Sequence, residues 1–88
     1  MESHKNKRLR LIRKIYDIHL NDVLDITDEY NEVYIFRCEK HNENYDLYDL
    51  NNKHITWGMS CDTLEELQDS LVKDCLDGLI TNIVFNVK

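Results

Sequence analysis

Leu64, Leu67, Leu71, Cys75 and Leu79 recur at i, i+3, i+7, i+11 and i+15, a spacing that places all five on one stripe of an α-helix and on no single face of a strand. Asp62 and Glu65 have the separation of an N-terminal cap and its reciprocal acid. Gly78 suits a helix end, where a left-handed residue costs least without a Cβ. A helix with one apolar stripe must bury it against another layer, so the remaining sequence has to supply that layer.

It does so by changing period twice. From about Arg8 to Ile26 the apolar residues Leu9, Ile12, Tyr16, Leu20 and Val23, widened by Leu11, Ile15, Ile18 and Leu24, predict a first helix. Its charge order opposes the macrodipole, with bases at the N-terminal end and Asp22 and Asp25 at the other. Asp28 to Asn31 break the helical period and alternation takes over. Val33, Ile35 and Arg37 oppose Tyr34, Phe36 and Cys38; Lys40 to Asn44 form a polar turn; Tyr45, Leu47 and Asp49 oppose Asp46, Tyr48 and Leu50. Asn51, Asn52 and Lys53 make a second turn before a strand with Ile55, Trp57 and Met59 on one face, and Ile83, Phe85 and Val87 close the chain as another strand.

The expected fold is therefore α+β in the order α-β-β-β-α-β, one domain over 1–88 with an antiparallel sheet and both helices packed on one face. Residues 1–7 are read as a basic, flexible N-terminus. Leu64, Leu67, Leu71 and Leu79 are expected to pack on Ile35, Leu47, Ile55 and Phe85, with Trp57 filling the same core.

The 88 residues argue against a large catalytic cleft, because a chain this short buries only about 60–65% of the surface it exposes unfolded. No apolar run approaches the roughly 20 residues of a membrane span, and no small-residue cleavage site follows the basic N-terminus. Three cysteines cannot pair completely and each falls at a predicted core position or strand end, so reduced thiols in a cytoplasmic protein are expected. The two glycines, Gly58 and Gly78, lie too far apart in sequence for a phosphate-binding loop. Cys38-x-x-His41 has the spacing of two metal ligands, but the second paired knuckle of a convincing zinc site is missing. No glycine-bearing turn surrounds a cysteine that His19, His41 or His54 would activate. The sequence therefore predicts no catalytic residues, no metal and no cofactor.

Charge points to partners. Met1 to Lys14 hold six bases (Lys5, Lys7, Arg8, Arg10, Arg13, Lys14) against Glu2 alone, while the remaining chain carries sixteen acids and five bases, so a segment of +5 is joined to a body of −11. The acids expected to face a partner are Asp22, Asp25, Asp28 and Glu29 near the end of the first helix, Glu43, Asp46 and Asp49 on the hairpin, and Glu66, Asp69 and Asp74 on the second helix. Tyr45 and Tyr48 are the accompanying aromatic candidates. Carboxylates three or four apart on a helix are about 5–6 Å apart at Cβ, near the phosphate repeat of a nucleic acid strand. Such a surface suits the basic groove of a nucleic-acid-handling protein partner.

The element order resembles the double-stranded RNA-binding domain, whose second helix begins with lysines that meet phosphates. Here that position reads Asp62-Thr63-Leu64-Glu65-Glu66, so direct RNA binding there is not expected. Cys61-Asp62-Thr63-Leu64-Glu65-Glu66-Leu67 after a meander resembles the strand-to-helix junction of HicB-type antitoxins, without the glycine usually found before it. In length, acidity and Lys/Asn/Ile/Asp-rich composition the whole chain resembles small inhibitors encoded by phages and mobile elements, including some anti-CRISPR proteins, which act in the host cytoplasm. That resemblance implies a non-enzymatic inhibitor of a nucleic-acid-handling partner. The alternatives are an antitoxin or immunity-type protein, and a small DNA-associated regulator that uses the basic N-terminal helix.

Overall fold

The N-terminal helix α1 (His4–Tyr16) is shorter than its apolar pattern implies, and the residues beyond it form an additional strand. The computed structural model describes residues 3–87, leaving aside the side chains of His4, residues 54–60 and Val87. Among the described residues, α1 is followed by β1 (Val23–Asp28), β2 (Val33–His41), β3 (Asn44–Asp49), β4 (His54–Cys61), α2 (Leu64–Leu76) and β5 (Ile80–Val87). The fold is α+β, with an antiparallel sheet in the order β4-β3-β2-β1-β5. Both helices lie on one face of that sheet, and α2 carries the chain from the β4 edge to the β5 edge. A Cα radius of gyration of 12.3 Å is that of one compact domain.

Ser3 caps α1 by accepting a hydrogen bond from the Asn6 N–H (3.2 Å), so the helix opens within the stretch 1–7 expected to be flexible. It ends with Arg13 and Lys14 in its last turn, where positive charge is favourable. Asp22 and Asp25 lie outside it, so the acid at its C-terminal end is instead the C-cap Asp17. Asn21, at φ +74°, redirects the chain into β1, where Leu24 and Ile26 point into the core and Asp25 and Thr27 point away.

The core joins Leu11, Ile15 and Ile18 with Leu24, Ile26, Phe36, Cys38 and Leu47 of the sheet, Leu67, Leu71 and Cys75 of α2, and Ile80 and Ile83. Two expected members differ. Ile35 pairs with Asp25 on the other side of the sheet while Phe36 takes the inner position. Leu79 is 38% exposed, because Gly78 at φ +81° reverses the chain before it. The Leu79 and Gly78 N–H groups donate to the carbonyls of Asp74 (2.9 Å) and Cys75 (3.1 Å), the paired bonds of a Schellman ending. The expected inward faces of Ile55, Trp57 and Met59 lie outside the described side chains.

Helix α2 is capped one residue later than its sequence suggests. Thr63 Oγ1 accepts from the Glu66 N–H (3.1 Å), and Glu66 Oε2 accepts from the Asp62 N–H (3.2 Å), a variant of the capping box in which the acid reaches the residue before the cap. Gln68 of α2 donates to the carbonyls of Tyr16 (3.2 Å) and Ile18 (2.9 Å), which satisfies the open end of α1. At the β5 edge, Lys14 Nζ donates to the Ile83 carbonyl (2.8 Å), and the β1–β5 pairing carries two register shifts. Both features make that edge a poor template for another strand.

Candidate functional site

The inner stripe of α2 anchors the helix, and its outer side is left to solvent. Leu67, Leu71 and Cys75 are buried, so the opposite positions Glu65, Glu66, Asp69 and Lys73 are exposed, as are the flanking Asp62 and Asp77; Asp74 is half-buried. The segment from Asp62 to Asp77 holds six acids and one base. Glu65 and Asp69 are four apart within the helix, a separation of about 5–6 Å at Cβ. Glu65 and Glu66 occupy the first turn, where the helix dipole favours negative charge by about 0.3–1 kcal/mol each. The N-terminal part of this ridge therefore holds carboxylates where the local fold favours them, whereas Asp74 and Asp77 lie at the end where the dipole opposes negative charge.

The other sequence-predicted acids do not join it. Asp46 and Asp49 are 2% and 1% exposed, which corrects their assignment to a contact surface. Their strand, β3, is an interior strand between β2 and β4, and Asp46 sits at an irregularity in the β3–β4 pairing. The Asp49 carboxylate turns back into the following loop and accepts from the Asn51 N–H (2.9 Å), the Asn52 N–H (3.0 Å) and Asn52 Nδ2 (2.9 Å). Asp28 has an equivalent role in the β1–β2 turn, where its Oδ1 accepts from the N–H groups of Tyr30 (2.8 Å) and Glu32 (3.0 Å) and its Oδ2 from the Tyr34 hydroxyl (3.2 Å). Asp22 accepts from the His19 N–H (2.8 Å), and Asp25 from Asn86 Nδ2 (2.7 Å) on the sheet face opposite the helices. Glu29 and Glu43 are exposed, but they lie on the turns at opposite ends of β2, away from α2.

Of the two tyrosine candidates, Tyr45 packs partly into the core with Lys40 Nζ 5.4 Å from its ring centroid. Tyr48 lies half-buried on the opposite sheet face, 6.4 Å from the His41 ring. That face also carries a line of side chains missed by the sequence reading. Glu39 accepts from Arg37 Nε (2.5 Å) and contacts His41 Nε2 (2.6 Å) from its other oxygen. The alternation Arg37, Glu39, His41 on one strand was its only sequence signal.

The three thiols do not offer a nucleophile. Burial pushes Cys38 up to about 11, helped by the negative charges of Asp22, Asp46 and Glu39. Cys61 is raised by burial and by Glu66, Asp46 and Asp62. Cys75 is raised by burial, partly offset by Arg8. Each is therefore held as the weakly nucleophilic thiol at neutral pH. Among the described residues no group of three or more His, Cys, Asp or Glu is gathered for a metal ion. No described helix is long and apolar enough to cross a membrane.

The opposite charge lies on the neighbouring helix. Lys5, Lys7, Arg8, Arg10 and Arg13 of α1 are exposed, and the half-buried Lys14 donates at the β5 edge. Tyr16 Oη donates to Asp69 Oδ1 (2.8 Å), tying the end of α1 to the acidic ridge, and this bond with the nearby carboxylates of Asp69 and Glu65 raises the tyrosine pKa. The helical layer thus has a basic half and an acidic half. The chain matches no protein-family model, no curated protein and no solved structure.

Proposed function

We propose that this chain is a non-enzymatic binding protein that inhibits a nucleic-acid-handling protein, such as a phage-targeting defence nuclease, by placing the α2 carboxylates in that partner's basic groove. The observation that carries this reading is the exposed set Glu65, Glu66 and Asp69 on α2 with Asp62 and Asp77 at its two ends, interrupted by Lys73 alone, on a helix whose other side is fixed in the core. A rigid acidic helix offers a groove evolved for phosphates repeated negative charge at comparable separation, and long-range attraction speeds the encounter. The raised thiol pKa values support a role in binding over one in nucleophilic chemistry.

The test is affinity capture from host lysate with wild-type bait, with a Glu65→Lys/Asp69→Lys bait, and with heparin as a polyanionic competitor. The expected result is a protein retained by wild type, lost with the reversed bait and displaced by heparin. Equal retention by both baits would reject the reading. An antitoxin or immunity-type role would use the same acids, and the identity of the captured protein separates it from the first reading. A DNA-associated regulator is favoured by the five exposed bases on α1, and retention on immobilised duplex DNA, abolished by Lys7→Gln/Arg8→Gln, would replace the first reading with this one.

A further inference from the structure

The geometry points to the helical layer as an isologous interface between two copies of this chain, with α1 of each copy lying over α2 of the other. Three features of this surface lead there. The first is its apolar content. Leu9 is 44% and Leu76 50% exposed, and they flank a groove of about 250 Å³ between the helices, floored by Ile12 and bordered by Lys5 and Arg8. Large apolar side chains left beside a groove in an 88-residue chain are a feature of contact surfaces.

The second is the sign of the charge on each side of that seam. On its α1 side stand Arg10 and Arg13, with Asp17 as the one acid beside them; on its α2 side stand Asp69 and Asp77, with Lys73 as the one base. The surface therefore reads basic, apolar, acidic across its width. A two-fold axis parallel to the helices turns this pattern into acidic, apolar, basic, so each half meets its opposite and the apolar seams meet each other. An axis in the layer but perpendicular to the helices would set α1 on α1 and like charge on like. Charge complementarity thus selects both the occupant, a second copy, and the symmetry operator.

The third is register. Tyr16 bonds Asp69, and Leu9 and Leu76 line one groove, so the two helices are antiparallel neighbours. A two-fold axis along them leaves height unchanged. Arg13 then comes level with Val72 and Lys73 of the other copy, one helical turn from its Asp69, and Arg10 comes level with Cys75, within a turn of Asp77. Two 13-residue helices are each about 20 Å long and about 10 Å apart. The total area they would bury lies at the low end for a specific complex, about 1,000 Å². Each copy also carries a net charge of −6, which opposes approach. The association is accordingly weak and reversible, and salt dependence alone does not diagnose it, because screening weakens both the local attraction and the overall repulsion.

A charge swap does diagnose it. Sedimentation equilibrium of the full chain over about 5–500 μM is the readout, a range suited to a weak, micromolar interface. Wild type is expected to show a concentration-dependent monomer–dimer equilibrium. Arg10→Glu/Arg13→Glu, in which acid faces acid, and Asp69→Lys/Asp77→Lys, in which base faces base, should each be monomeric. An equimolar mixture of the two variants should regain dimer, because both cross-pairs are then restored in a heterodimer. That recovery also shows that both variants are folded. Wild type that stays monomeric at the highest concentration, variants that dimerise as well as wild type, or a mixture that stays monomeric would each overturn the proposal. The experiment uses this chain alone and so stands apart from the proposed inhibition. Since the α2 carboxylates serve both, dimer and partner-bound states would exclude each other.

Discussion

Replacing Asp49 with Ala should weaken the fold far more than replacing any exposed acid. Its carboxylate accepts three hydrogen bonds, from the Asn51 and Asn52 N–H groups and from Asn52 Nδ2, and it shapes the turn in which Lys53 adopts φ +57°. Bonds to a charged acceptor contribute about 1.5–3 kcal/mol each. Asn51 and Asn52 are exposed, so water replaces part of what the carboxylate gave, and a net loss of about 2–3 kcal/mol is expected, slightly above the loss of a good helix cap. For a domain of this size that corresponds to a fall in Tm of about 10–20 °C. Thermal melts followed by far-ultraviolet circular dichroism, with urea midpoints as a second measure, compare Asp49→Ala with Glu29→Ala. The exposed Glu29 variant should stay within about 0.5 kcal/mol of wild type. Melts of the two variants that coincide would refute the assignment of Asp49 to the fold.

Leu67→Ala and Leu71→Ala, both at fully buried positions, should each cost about 2–5 kcal/mol in urea unfolding, and a loss below about 1 kcal/mol would contradict the packing of α2. Thr63→Ala should cost about 0.5–2 kcal/mol, whereas Asp62→Ala should cost little, and the reverse order in paired melts would move the cap back to Asp62. Cys38 is pushed up to about 11, so between its unfolded value, about 8.5, and that folded value the native state binds the extra proton. Its contribution is complete below the unfolded value and is lost as pH rises through the folded one. Urea midpoints between pH 8 and 11 should fall less steeply in Cys38→Ala, and identical slopes would exclude Cys38 as the source.

The elements legible in the sequence were those whose period has a single reading. The α2 stripe, the Gly78 ending and the β2–β3 alternation all appear where expected, since each follows from local geometry and burial together. The first helix was overextended because Leu20, Val23 and Leu24 continue a helical spacing while Leu24 and Ile26 also alternate with Val23 and Asp25. Only pairing with β2 and β5 on both sides decides between those readings, and pairing is not local. The acidic candidates divided for the same reason. On α2 the exposed side follows from the buried stripe, so Glu66 and Asp69 were correctly placed at the surface. On β3, exposure depended on neighbouring strands and on a turn that Asp49 itself holds. Leu79 continues the apolar spacing of the stripe, but the reversal at Gly78 moves it off the helix.

The most direct test of the proposed inhibition is a titration of the captured partner by calorimetry, with and without its own nucleic acid, using three forms of the chain: wild type, Glu65→Lys/Asp69→Lys, and Lys7→Gln/Arg8→Gln. The α2 reversal should weaken binding at least tenfold, about 1.4 kcal/mol, the α1 neutralisation should change it less than about twofold, corresponding to roughly 0.4 kcal/mol, and nucleic acid should compete with wild type for the same site. A silent α2 reversal, with binding lost on neutralising α1 or with nucleic acid and chain bound to the partner together, would contradict it.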